Sequence, residues 1–151
     1  MHGEYRNTID EKGRLMIPPK LREQLGTSVN LFLTKSIDNT LWLYTKEAFD
    51  ELDNLVHSNP ISTFGKSARI IEMFVLAPAR EIELDKAGRL SIPQILREYA
   101  GLEPKTECVI LGSKDKIEIL SAKKHEELMV QFKAQVESAG DELSKMFGLG
   151  M

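Results

Sequence analysis

The chain writes one stretch of itself twice. Sliding it by 75 positions sets IDEKGRLMIPPKLREQLG (Ile9 to Gly26) against LDKAGRLSIPQILREYAG (Leu84 to Gly101), with ten matches in eighteen positions. With one residue inserted the register continues, so that LWLYT (41–45) meets IEILS (117–121) and EAFDEL (47–52) meets KKHEEL (123–128). Such a repeat requires two copies of one structural unit. The whole chain has 151 residues, so either copy alone is near the size at which a single core becomes marginal. Pairing the copies within the chain solves that problem.

Each copy reads in the same order. A strand approaches a turn, carrying Thr8 and Ile9 in the first copy and EIEL (81–84) in the second, where Ile82 and Leu84 alternate with Glu81 and Glu83. The turn follows. Gly13 and Gly88 suit the positive φ of a hairpin loop, and Asp10 and Asp85 are placed to accept backbone hydrogen bonds across it. The chain leaves as RLMIP or RLSIP. Pro18 and Pro93 fit the first position of a short helix, Gly26 and Gly101 fit just past its end, and Leu21 with Leu25, or Leu96 with Ala100, supply its apolar face. Two strand-like runs come next, VNLFLT (29–34) and TLWLY (40–44), matched by TECVIL (106–111) and KIEIL (116–120). Thr45 and Ser121 then stand as N-caps of a helix in each copy.

The helices carry the differences. Phe49, Leu52 and Val56 lie at helical spacing, and a second helix from Thr63 to Ala77 puts Ile70, Phe74 and Ala77 on one side before Pro78 ends it. Leu128, Phe132 and Val136 repeat the stripe near the end, followed by Gly140 and DELSKMF. Such stripes favour core or subunit interface over a ligand groove. The organisation expected is a first repeat over 4–47, a helical connector over 48–78, a second repeat over 79–122 and a C-terminal helical segment over 123–151. The fold class is α+β, a small mixed barrel with pseudo-twofold symmetry and peripheral helices.

Strand parity puts Leu15 and Ile17 on one face and Arg14 and Met16 on the other, and likewise Leu90 and Ile92 against Arg89 and Ser91. Both arginines therefore stand on the outer face, at the tip of a hairpin. Two readings are open there. Asp10 can pair with Arg14, and Asp85 with Arg89, as loop-tightening salt bridges of small net worth. Alternatively, the guanidiniums are free for bidentate bonds to phosphate or to guanine O6 and N7. Matching surface arginines favour a shared task, since two copies need matching cores but not matching surfaces. Lys12 and Lys86, in the same loops but at different places, add phosphate contact or are solvated charge. Arg22-Glu23 and Arg97-Glu98 read as packing and ion-pair residues of the short helix.

Composition narrows the rest. With 42% hydrophobic and 28% charged residues the chain reads as a soluble globular protein. It has no run of about 18 apolar residues and no signal-like apolar core in MHGEYRNTID, so a cytoplasmic location without membrane contact is expected. Cys108 is the single cysteine and reads as a small buried hydrophobe on a strand. Catalysis is not indicated. His2, His57 and His125 are scattered, no metal-binding spacing or Walker-type loop occurs, and no cofactor, metal or small-molecule substrate is expected. The formal net charge of −3 does not announce a nucleic-acid binder, so any DNA contact must come from local geometry. The competing class is an oligomeric scaffold or protein-interaction module without DNA contact.

The paired DEKGR and DKAGR loops, each followed by L-x-I-P-x-x-L-R, resemble the signature of the MraZ family of bacterial transcriptional regulators, associated with the division and cell wall gene cluster. The resemblance runs from about Tyr5 through Ser121. It implies two SpoVT/AbrB-type swapped-hairpin modules in a double-split β-barrel, rings of identical subunits on the nucleoid, and binding to short direct repeats upstream of the family's own operon. Carried over by motif, the DNA-contacting arginines fall on Arg14 and Arg89, with Asp10 and Asp85 as the other fixed ends. The loop interiors differ, Glu11-Lys12 against Lys86-Ala87.

Overall fold

Strand pairing crosses between the two copies. The computed structural model describes residues 1–26, 30–58 and 66–148. Its first copy runs β1 (Gly3–Thr8), β2 (Arg14–Met16), α1 (Pro19–Leu25), β3 (Leu31–Lys35), β4 (Leu41–Thr45) and α2 (Lys46–Ser58). The helix α3 (Lys66–Ile71) passes into a π turn over Glu72–Leu76 and leads to the second copy. That copy runs β5 (Arg80–Ile82), β6 (Arg89–Ser91), α4 (Gln94–Ala100), β7 (Glu107–Ser113) and β8 (Lys116–Ser121), followed by α5 (Ala122–Ser138) and α6 (Gly140–Met146). Val29 and Thr63, expected in a strand and a helix, lie outside the described residues.

Six strands form one sheet in the order β1-β7-β8-β4-β3-β5, and β2 and β6 form a separate two-stranded ribbon. The order is a palindrome under the repeat, because β1, β7 and β8 correspond to β5, β3 and β4. Each copy folds its last two strands into a hairpin, and the first strand of the other copy docks on that hairpin's outer edge. Thus β1 pairs with β7 from Gly3↔Gly112 to Thr8↔Glu107, while β5 pairs with β3 from Leu31↔Ile82 to Leu33↔Arg80. The two hairpins meet through β4 and β8, Leu43 opposite Ile117. Every ladder among the described residues is antiparallel, in place of the mixed pairing expected. The sheet is open, with β1 and β5 at its two ends.

The turns after β1 and β5 are not hairpin turns in the sense expected. Asp10 N–H donates to Arg14 C=O at 2.9 Å and Asp85 N–H to Arg89 C=O at 3.0 Å, so the chain does reverse. No ladder follows, because β2 leaves to pair with β6 of the other copy. Asn7 Nδ2 donates to Met16 C=O at 2.9 Å and satisfies a carbonyl that a continued hairpin would have used. The short helices start one residue later than expected. Pro18 and Pro93 are extended at ψ 139° and 143° and precede the first turn, and their carbonyls accept the first helical N–H groups.

The core gathers from both copies. Leu15, Leu90, Ile9, Ile17, Leu21, Leu33, Leu43, Leu102, Ile110 and Ile117 are fully buried, with Leu25, Ile92, Leu96 and Ala100 nearly so. Each large aliphatic side chain removed from water contributes about 1.5–3 kcal/mol. On the other side of the first hairpin, Thr45 Oγ1 accepts from Ala48 N–H at 3.2 Å and starts α2, whose Phe49 stacks on Phe32 at 4.8 Å between ring centres. The stripe expected over Ile70, Phe74 and Ala77 is displaced. The π turn, closed by Ala77 N–H to Glu72 C=O at 2.9 Å, inserts a residue into the period and buries Val75, leaving Ile70 and Ala77 exposed. Phe74 packs edge-on to Tyr99 at 5.7 Å, beneath the Lys35 ammonium.

The chain divides into two units, Met1–Ser121 and Ala122–Met151. Within the second, Met129, Val130, Phe132 and Val136 of α5 are exposed. No helix among the described residues is long and apolar enough to cross a membrane.

Two expectations follow. Leu15→Ala and Leu90→Ala, being equivalent under the repeat, should each destabilise by about 2–5 kcal/mol, read as similar losses in urea unfolding. Burial raises the Cys108 thiol to about 12. The folded protein should therefore resist a thiol reagent at neutral pH and react once urea unfolds it.

Candidate nucleic-acid interface

Three residues on each side make the β2–β6 ribbon, with Arg14 opposite Ser91, Leu15 opposite Leu90 and Met16 opposite Arg89. Alternation turns both leucines inward, fully buried. The same alternation turns Arg14, Met16, Arg89 and Ser91 to the opposite face. The two arginines lie diagonally across the strand pair, a relation that sets backbone positions about 7–8 Å apart. Their side chains are 26% and 36% exposed, so solvent reaches both.

Each arginine is held by the aspartate four residues before it. Asp10 Oδ1 accepts the backbone N–H groups of Lys12 and Arg14 at 2.8 and 2.9 Å, and Oδ2 accepts Arg14 Nε at 2.8 Å. Asp85 repeats this on Ala87, Arg89 and Arg89 Nε, at 2.9, 2.9 and 2.8 Å. The salt bridge and the outward arginine, opposed readings of the sequence, therefore coexist. Only Nε is taken by the aspartate. Among the described residues, the terminal nitrogens Nη1 and Nη2 of both arginines have no hydrogen-bond partner, and that end-on edge suits a two-acceptor ligand.

The glycines follow from the same geometry. Gly13 and Gly88 sit at φ 78° and 87°, a region that costs other residues strain. They donate N–H to Asp10 C=O and Asp85 C=O at 3.0 and 2.9 Å, closing each turn. Lys12 and Lys86 are exposed in the loops, but at unequal places: Ala87 stands where the first copy has Lys12. The structure thus brings together Asp10, Gly13 and Arg14 with Asp85, Gly88 and Arg89, and leaves the two lysines on the loop flanks.

Arg22 and Arg97 differ from expectation. Neither forms an ion pair among the described residues. Instead Arg22 Nε donates to Ile17 C=O and Arg97 Nε to Ile92 C=O, both at 3.0 Å, and each guanidinium covers the loop glycine of the other copy. Their recurrence in the repeat was the available signal. His57, one of the scattered histidines, joins α2 to the π turn through Asp53 and Glu72. No group of three metal-ligating side chains occurs among the described residues.

Both loop aspartates titrate below their ordinary value of 3.8, first because the backbone N–H of Arg14 or Arg89 donates to the carboxylate, with the arginine side chain adding to it against some desolvation. A depressed carboxyl contributes stability that is present above its unfolded value and lost as pH falls through its folded value. Carboxyl-carbon NMR titration should therefore give midpoints below 3.8 for both residues. Arg14→Ala should move the Asp10 midpoint upward and leave that of Asp85 in place.

Comparison with known proteins points to one family. A family model described as "MraZ protein, putative antitoxin-like" matches residues 1–71 and again 75–146. Proteins named transcriptional regulator MraZ include one from Treponema denticola, 38% identical over 146 residues, covering 97% of this chain and 99% of that protein. Another, from Acetivibrio thermocellus, is 37% identical and covers 96% and 97%; a third, from Ligilactobacillus salivarius, is 43% identical over 79% of each. These relatives are named as regulators of transcription and not as enzymes. With two matches in register with its own repeat and relatives aligned almost end to end, the chain belongs to the MraZ family of transcriptional regulators.

Proposed function

We propose that the protein is a sequence-specific DNA-binding regulator of the division and cell wall gene cluster, binding short direct repeats in its own promoter through Arg14 and Arg89. The observation that carries this reading is the outward edge of two guanidiniums on one face of the ribbon, without a hydrogen-bond partner among the described residues. A diagonal of about 7–8 Å is close to two base steps of about 3.4 Å each, so both side chains can address one stretch of groove. End-on guanidiniums match guanine O6 and N7 or paired phosphate oxygens. Lys12 and Lys86 supply flanking phosphate contacts, and Asp10 and Asp85 hold the arginines in place.

The repeat boundaries are 4–47 and 79–122, joined by the connector 48–78 and followed by 123–151. The crossed strand pairing supports two swapped-hairpin modules of SpoVT/AbrB type, related to a double-split barrel. The chain assembles as a homo-oligomeric ring on the nucleoid. The exposed apolar residues of α5 support self-association, and so does charge: a subunit of net charge −3 binds a polyanion better when several copies present their loops together at high effective concentration. The same apolar residues favour a second reading, an interaction scaffold without DNA contact.

Binding of a duplex carrying the sequence upstream of its own gene separates the two. Arg14→Ala and Arg89→Ala should each cost about 1–3 kcal/mol of affinity with the assembly size unchanged, and the wild-type affinity should fall steeply with salt. Unchanged affinity in the double variant would leave the scaffold reading.

A further inference from the structure

We propose that Arg22 and Arg97 are positioning residues that act across the repeat, Arg22 bracing the Asp85–Arg89 loop and Arg97 bracing the Asp10–Arg14 loop. Each arginine belongs to one copy and covers a glycine of the other. A Cβ added to Gly13 would lie 2.7 Å from Arg97 Nε and 2.8 Å from its Cζ. At Gly88 it would lie 2.5 Å from Arg22 Cζ and 2.7 Å from its Cδ. Real Cβ atoms do not come so close, so a larger loop residue would have to displace the guanidinium from the volume it occupies. Gly13 and Gly88 are accordingly buried while their loop neighbours Lys12 and Ala87 are exposed.

The contact is closed by backbone bonds. Ile17 N–H donates to Gly88 C=O at 3.1 Å, and Ile17 C=O accepts Arg22 Nε. Ile92 N–H donates to Gly13 C=O at 3.1 Å, and Ile92 C=O accepts Arg97 Nε. Each brace is therefore a triangle of the isoleucine that follows a ribbon strand, the opposite glycine and the helix arginine. The planar guanidinium is what makes the triangle, since one edge bonds the carbonyl while the plane lies against the glycine. A lysine has neither feature. By this route α1 sets the position of Arg89 and α4 that of Arg14, which holds the two DNA-facing side chains in one mutual register.

The part of this inference that concerns DNA rests on the proposed function; the brace itself does not. Amide hydrogen exchange on the full chain tests the brace. Arg22→Met should speed exchange of the Ala87, Gly88 and Arg89 amides about tenfold or more while leaving Lys12, Gly13 and Arg14 within about twofold, and Arg97→Met should do the reverse. Arg22→Lys and Arg97→Lys, which keep charge and fold, should give the same crossed pattern at smaller size. Equal effects on both loops, an effect on the variant's own loop, or no effect in either series would overturn the proposal. On the promoter duplex, Arg22→Met should weaken binding of the wild type and of Arg14→Ala but add nothing to Arg89→Ala. If Arg14→Ala and Arg89→Ala themselves leave binding intact, the DNA reading fails and the exchange pattern alone decides the brace. If they weaken binding but Arg22→Met couples to Arg14→Ala instead, the crossed assignment is wrong.

Discussion

The pairing of Leu15 with Leu90 across the local twofold axis is the contact on which the rest of the structure depends. Both side chains are wholly buried, and they fix a ribbon only three residues wide on each side. A ribbon this short has no stability of its own in water. It persists because its inner face is core, and because Ile17 and Ile92 bond the glycines of the opposite loops. Once that pairing is made, parity leaves no choice about Arg14 and Arg89: they face outward, on the same side, on adjacent strands. The loop aspartates then orient each guanidinium through Nε.

The exchange of strands between copies follows from the same economy. A copy alone would have four short strands and open edges. Docking β1 on β7 and β5 on β3 covers the outer edge of each hairpin with a strand from the other copy, and joining β4 to β8 makes one sheet of six. The two docked strands are not equal. β1 contributes six paired positions and β5 three, so the second copy's entry strand is the shorter ladder. The two loops nonetheless keep the same hydrogen bonds to within 0.1 Å, so the unequal ladders do not alter their shape.

Much of this was legible in the residues themselves. The repeat, the helix-ending glycines, the inward leucines and isoleucines and the outward arginines all follow from spacing and parity. Partner choice did not. In a duplicated chain the pattern of β1 suits a strand of either copy, and periodicity identifies a strand without saying which edge receives it; the expected hairpins failed on that point, and the six-stranded sheet does not close. The π turn is hidden for a related reason, since side-chain spacing alone implies a period of 3.6 through Glu72–Leu76, and one inserted residue carries the buried position to Val75. Arg22 and Arg97 were visible as recurring residues, but their reach onto Gly88 and Gly13 is a consequence of the crossed pairing and could not be read before it.

The crossed ribbon itself is open to one direct measurement, the nuclear Overhauser contacts between backbone α-protons in solution. Arg14 with Ser91 and Met16 with Arg89 are the non-hydrogen-bonded positions of an antiparallel pair, where α-protons come closest. Strong contacts in both pairs are predicted. Contacts that instead tie Arg14–Met16 to the strand just before it, each turn closing its own hairpin, would contradict the account.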